Sequence, residues 1–224
     1  LNTLAGEMRN FLIERASKHM GHVGPDLGFV EATIALHRVF NTPKDKIVFD
    51  VSHQTYPHKM LTGRKKAYME EASYDEVGPY TDPKESPYDL FSIGHTSTSI
   101  DLAIGLAKAR DLLSGTEKVV AVIGDGSLSG GMALEGLSNA GEQESQLLII
   151  LNDNEMSIAE NHGGMYKGLK RLRESNGQAE DNLFRAMGLE YLYEEQGNDV
   201  ESLVKALEKA KSYEKPVVLH IHTA

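Results

Sequence analysis

Residues 118–156 read KVVAVIGDGSLSGGMALEGLSNAGEQESQLLIILNDNEM. Two continuous apolar runs, KVVAVI and QLLIIL, enclose GGMALEGLSNAG, a small-residue stretch with helical spacing. Apolar runs of strand length separated by a helix predict adjacent parallel strands covered on both faces. The pattern continues outward. Downstream come a helix at 178–188, a strand at 189–194 (LEYLYE), a helix at 200–212 and a strand at 215–222 (KPVVLHIH). Upstream lies a helix at 97–115, with serine caps at its start and Gly115 past its end. Before it, residues 72–90 carry Pro79, Pro83 and Pro87 without periodicity and predict a long loop. Residues 53–63 read as a turn and short helix closed by Gly63, and KIVFDV at 46–51 as a buried strand. Residues 26–40 predict a helix with Asp26 as N-cap. Another over 4–20 sets Leu4, Met8, Phe11, Leu12 and Arg15 on one face. The expected fold is α/β: one domain over 1–224, in three layers, a parallel sheet of five strands with helices on both faces.

Composition narrows the function. The 224 residues are 40% hydrophobic and 25% charged, with a formal net charge of −10. That balance speaks against a nucleic-acid or anionic-membrane surface. No cysteine is present, which excludes disulfides, thiolate metal sites and cysteine nucleophiles. No apolar run approaches the roughly 20 residues of a membrane span. The N-terminal residues lack a basic region followed by an apolar core, so no signal peptide is expected and the default compartment is cytoplasmic. The first residue is Leu1 rather than Met, which leaves the natural start open.

In an open parallel sheet, ligands bind beyond the carboxyl ends of the strands. Both GDG (124–126) and NDNEM (152–156) fall there. Gly124 and Gly126 permit a sharp turn, Asp125 brings a carboxylate and Asn154 an amide oxygen. Such hard oxygens suit Mg²⁺. A diphosphate would then sit on the metal and on amides at the helix start after GDG. Taken alone, Gly-Asp-Gly is equally a plain tight turn; the second turn one βαβ unit later favours a site. Three histidines lie in small-residue turns: His22 in GHVG, His53 in SHQ and His95 in GHTS. Histidines so placed can donate to phosphate or move protons near neutral pH, although a single one is more often structural. His37 on a helix, and His220 and His222 alternating on the last strand, read as structural.

GDG, 25 intervening residues and NDN resembles the thiamine diphosphate-binding motif. Together with SKHMGHVGPDLGFVEATIALHRVFNTPKDKIVFDVSHQTYPHKMLTGR, GHTSTSI, VIGDGSLSGGMALEGLSNAG and ILNDNEMSIAEN, it resembles the N-terminal domain of the 1-deoxy-D-xylulose-5-phosphate synthases, in the transketolase-like superfamily. The resemblance implies thiamine diphosphate and Mg²⁺ as cofactors. It implies side-chain ligation of the metal by Asp125 and Asn154 and carbonyl ligation by Met156. Gly126, Ser127 and Asn154 would contact the diphosphate; Gly94, His95, Thr96 and His53 would line the cofactor. His22 and His53 would be catalytic, with His22 facing the reacting carbon. The implied reaction joins pyruvate to D-glyceraldehyde 3-phosphate with loss of carbon dioxide, or uses another sugar phosphate as partner substrate. A homodimer is the expected assembly.

The sequence departs from the family at Pro25 and Asp26, where two serines are usual, at Ser52 for glycine and at Thr96 for serine. The stretch from Asn161 to Gln178 is much shorter than its counterpart. Nothing in the sequence matches the family's pyrimidine-binding or C-terminal domain, so a pyrimidine-binding domain is expected in cis or on a separate chain. Rival readings are a transketolase-like ketol transferase and a non-catalytic cofactor-binding module. A Rossmann-type dinucleotide protein is disfavoured, because no G-x-G-x-x-G follows the first strand.

Overall fold

The computed structural model describes residues 1–157 and 159–224. Five strands form a single sheet: β1 (Lys46–Phe49), β2 (Val119–Gly124), β3 (Leu148–Asp153), β4 (Glu190–Glu194) and β5 (Val217–His222). Their order is β1-β2-β3-β5-β4, and every neighbouring pair is parallel. The longer helices are α1 (Asn2–Lys18), α2 (Val30–Val39), α3 (Ser99–Leu112), α4 (Gly131–Gln143), α5 (Gly164–Glu174) and α6 (Val200–Lys211). The α/β expectation holds, and successive strand residues show why. Ile47, Phe49, Val120, Val122, Leu148 and Ile150 pack with α1, α2 and α6. Their neighbours Val48, Val119, Ala121, Ile123, Ile149 and Leu151 pack with α3, α4 and α5 on the opposite face. A period of two in a continuously apolar strand buries both faces at once. Because all five strands run the same way, the ends of β1, β2 and β3 deliver Asp50, Asp125 and Asn154 to one edge of the sheet.

Several local expectations are corrected. Asp26 does not cap a helix over 26–40. The segment splits into a short helix, Gly24–Gly28, and α2, neither with a side-chain cap. The Asp26 carboxylate is instead wholly buried and accepts the Tyr56 amide N–H at 2.8 Å. Strand β1 stops at Phe49, since Val51 and Ser52 take positive φ. Serines do not cap α3. Buried Asp50 accepts the N–H groups of Ser97, Thr98 and Ser99 at 2.8, 2.8 and 2.9 Å. A carboxylate reaching over from β1 thus satisfies the helix donors that local side chains leave free. At the far end of α3, Ser114 takes the left-handed conformation and the Gly115 N–H donates to the Arg110 carbonyl at 2.8 Å.

The expected helix at 178–188 shrinks to one turn, Leu183–Ala186, capped by Asn182. The loop at 72–90 opens with a 3₁₀ turn, Glu71–Glu76. Helix α5 lies in the shortened stretch to which the sequence reading assigned no element, although Met165, Leu169 and Leu172 stand at helical spacing.

Candidate functional site

The turn after β2 is built around a buried carboxyl. Asp125 is 2% exposed and opens a single helical turn, Asp125–Leu128. One of its oxygens accepts Asn161 Nδ2–H at 2.7 Å. Burial first, and the adjacent Asp153 carboxyl second, raise the Asp125 pKa to about 7. Burial also opposes ionisation of Asp153, but the hydrogen bond from His220 and the nearby Arg173 overcome it and hold Asp153 low. Gly126 has no room for a side chain, since a Cβ there would come within 2.8 Å of the Ser157 Cβ. The turn after β3 therefore folds directly over the turn after β2. In that second turn Asn154 and Met156 are exposed, and Asn154 Oδ1 accepts the Met156 N–H at 3.2 Å.

A second group forms beside the helix Tyr56–Lys59. The His22 and His53 rings meet edge to face at 5.5 Å between centroids. Tyr80 lies 5.3 Å from His22 and Tyr56 lies 6.4 Å from it. Nδ1 of both histidines is buried without a hydrogen-bond partner among the described residues. Burial lowers the pKa of each, and His22 adds to the effect on His53, so both rings are neutral near pH 7. A Cβ on Gly94 would fall 3.9 Å from the Tyr80 ring, so Tyr80 stands between the His22 and Gly94 turns.

The structure thus sets His22 and Gly94 beside Tyr80, with His53 against His22. Separately, the second turn, with Asn154 and Met156, lies over Asp125 and Gly126. The two groups are linked through the 95–97 turn, where Ser97 Oγ–H donates to the Ser127 carbonyl at 2.6 Å. His95 and Thr96 are exposed, and His95 Nδ1–H donates to the Thr96 carbonyl at 2.8 Å. No contact joins the His95 ring to the other two histidines among the described residues.

Two family departures turn inward. Ser52 is fully buried at φ +64, a conformation natural to glycine. Its hydroxyl donates to the Ile93 carbonyl at 2.8 Å and accepts the Thr81 N–H at 3.0 Å, offsetting the strain by tying down both ends of the 81–93 loop. Asp26 is likewise buried, and burial raises its pKa well above the usual range. Neither side chain lies on the cleft surface.

Sequence reasoning missed Tyr80, Asn161, Asp50 and Arg173. Tyr80 and Asn161 sit in aperiodic stretches with no local signal. Arg173 was legible in principle, from the amphipathic spacing of α5.

Among the described residues no cluster of three or more His, Asp or Glu stands ready to hold a metal. A cation at these turns must therefore combine a carboxylate with amide and carbonyl oxygens. The Asp125 carboxylate, the Asn154 carboxamide and the Met156 carbonyl make such a set, and hard oxygens fit Mg²⁺. A divalent ion would also relieve the cost of ionising buried Asp125 beside Asp153. By donor chemistry these oxygens suit Mg²⁺.

Parallel strands whose ends carry these two turns define a transketolase-like fold. The chain superposes on transketolase from Leishmania mexicana with a TM-score of 0.76 at 21% identity, covering 99% of this chain and 36% of that one. For transketolase from Campylobacter jejuni the TM-score is 0.73 at 23% identity, over 98% and 37%. Likeness at these identities concerns the fold alone. The family follows from sequence: the family model described as 1-deoxy-D-xylulose-5-phosphate synthase matches residues 1–180 and 175–223, and the chain belongs to that family. The 1-deoxy-D-xylulose-5-phosphate synthase of Carboxydothermus hydrogenoformans is 41% identical over 259 residues, covering 100% of this chain and 42% of the relative. The enzyme of that name from Listeria monocytogenes is 44% identical over 229 residues, covering 100% and 38%. The chain thus spans about two fifths of the length of the curated relatives it matches. The two pieces of the family match overlap at residues 175–180, at the end of the stretch from Asn161 to Gln178. No helix among the described residues is long and apolar enough to cross a membrane.

Proposed function

We propose that this chain is the diphosphate-binding part of a thiamine diphosphate- and Mg²⁺-dependent enzyme that joins pyruvate to D-glyceraldehyde 3-phosphate with loss of carbon dioxide. The observation that carries the reading is the buried Asp125 carboxyl under the turn of Asn154 and Met156, at adjacent parallel strand ends, in a member of this family. In this reading Asp125, Asn154 and the Met156 carbonyl hold the metal. Gly126, Ser127 and Asn154 receive the diphosphate. Gly94, His95 and Thr96 line the cofactor. Thiamine diphosphate, when bound, supplies an electron sink at its thiazolium carbon. The chain's own residues orient, exclude water and move protons. His22 and His53, kept neutral by burial, can take or return a proton at the substrate side of the cleft. Tyr80 packs against His22 on that side, 5.3 Å between ring centroids.

Activation of the cofactor at its pyrimidine end needs an acid that no motif of this chain supplies, so a pyrimidine-binding domain completes the site. The exposed Met20 and Val23 flanking His22, with Met132 and Met156, offer apolar surface for such a partner or for a second copy. A transketolase-like ketol transfer is the second reading, favoured by the fold likeness. The inward-facing Ser52 and Asp26 weaken it, since these departures do not reshape the cleft surface.

The test is to assay the chain with Mg²⁺, thiamine diphosphate, pyruvate and glyceraldehyde 3-phosphate, with and without the pyrimidine-binding region of a relative. We expect carbon dioxide release only with the added region. Sustained release from this chain alone would overturn the division of labour, and ketol transfer without pyruvate would favour the second reading.

A further inference from the structure

The aspartate at the centre of NDN, Asp153, has no role in the metal set, yet it is the most heavily tethered residue of the turn. Its side chain is wholly buried. Arg173 of α5, only 10% exposed at its side chain, donates through Nη1 to Asp153 Oδ2. The same oxygen accepts His220 Nε2–H from β5 at 2.8 Å. Nδ1 of His220 in turn accepts the Tyr191 hydroxyl from β4 at 2.8 Å. The other Asp153 oxygen accepts the Glu155 N–H at 3.1 Å.

Glu155 takes φ +64, an uncommon conformation for a non-glycine residue. Its carboxylate pairs with the second amino group of Arg173, Nη2, at 2.7 Å. One guanidinium therefore grips the residues on both sides of Asn154 and leaves Asn154 exposed between them. A planar fork holds two amino groups at a fixed spacing toward two carboxylates, which a single ammonium matches less rigidly.

We propose that Arg173, His220 and Tyr191 are positioning residues: they clamp Asp153 and Glu155 so that Asn154 and the Met156 carbonyl are held over Asp125. The clamp is the outer layer that orients a metal-binding set without touching the ion. It draws one member from β5, one from β4 and one from α5. The inference rests on the reading of Asp125, Asn154 and Met156 as the metal set, and its test separates the two claims.

The experiment uses the 224-residue chain, with Arg173→Gln, Arg173→Lys and Tyr191→Phe. Amide exchange by NMR in the metal-free chain reads the turn, and calorimetric titration of thiamine diphosphate at graded MgCl₂ reads the site. In Arg173→Gln the Glu155 and Met156 amides should exchange about tenfold faster while those of β2 and β3 hold their protection. The Mg²⁺ concentration at half-saturation should rise about tenfold. Arg173→Lys should restore part of both, and Tyr191→Phe should give a smaller shift in the same direction. Unchanged exchange in the turn would overturn the clamp. So would equal acceleration across β2 and β3, which would mark Arg173 as a general stabiliser. A parent chain that takes up no thiamine diphosphate at any MgCl₂ concentration would overturn the metal reading, while the exchange result still decides the clamp.

Discussion

Asp125 sits where two demands on one carboxyl collide. The fold buries it next to a second acid, and the proposed chemistry needs it charged. Burial and Asp153 together push its pKa up to about 7, and a bound cation would resolve such a conflict. Asp125→Asn keeps the shape and the contact with Asn161 but removes the charge. Calorimetry should then show Mg²⁺-dependent thiamine diphosphate binding weakened at least tenfold, about 1.4 kcal/mol. Equal affinity in the two proteins would remove Asp125 from the metal set.

At the scale of elements, the site is assembled by side chains that cross from one element to the next. Asp50 leaves the end of β1 and accepts three N–H groups at the start of α3. The 95–97 turn is thereby set against the 127–130 turn, where a Cβ on Gly130 would meet the Ser97 side chain. Asp50→Ala strands those donors in a buried place. Urea unfolding should show a loss of about 2–3 kcal/mol, above the usual worth of an exposed cap, because the acceptor is charged and 1% exposed. A loss below about 0.5 kcal/mol would show that water replaces the carboxylate. Fully buried Lys59 works in the same way on the loop that carries Tyr80. Its ammonium donates to the carbonyls of Gly78 and Tyr80 at 2.8 and 2.7 Å and pairs with Glu85 at 2.7 Å.

Across the whole molecule, stability is tied to pH through two neutral histidines, half-buried His37 and buried His58. Thr42 O–H donates to His37 Nδ1 at 3.3 Å, His37 and His58 lie 2.9 Å apart, and His58 donates to Asp89 at 3.1 Å. That chain of donors needs both rings neutral. Burial, and secondarily His58, lower the His37 pKa from 6.5 to about 4. The folded state thus resists a proton that the unfolded chain accepts below pH 6.5. The stabilisation is complete above that pH and is lost as pH falls from about 6.5 toward 4. Between pH 7 and pH 5 this one group should cost about 2 kcal/mol of unfolding free energy. Urea melts at the two values check this, with His37→Gln flattening the difference. A wild-type protein equally stable at both would contradict it.

The apolar runs at 119–123 and 147–151 determined the strands, their parallel pairing and the two buried faces, because continuous hydrophobicity leaves no other way to cover a sheet. The placing of Gly124, Asp125 and Asn154 in turns at adjacent strand ends was also legible, since glycine and short polar residues after an apolar run mark a turn in the chain itself. The tertiary structure decided the rest. Asp50 has no local mark as a helix cap, Tyr80 lies in a stretch without period, and Asp26 looks like an N-cap until Tyr56, thirty residues on, is packed against it. Arg173 gains its place only when α5 docks beside β3 and meets Asp153 and Glu155. Local periodicity records what each segment must bury, whereas the partners of a buried charge are chosen across the fold, by which elements the packing brings within a hydrogen bond of one another.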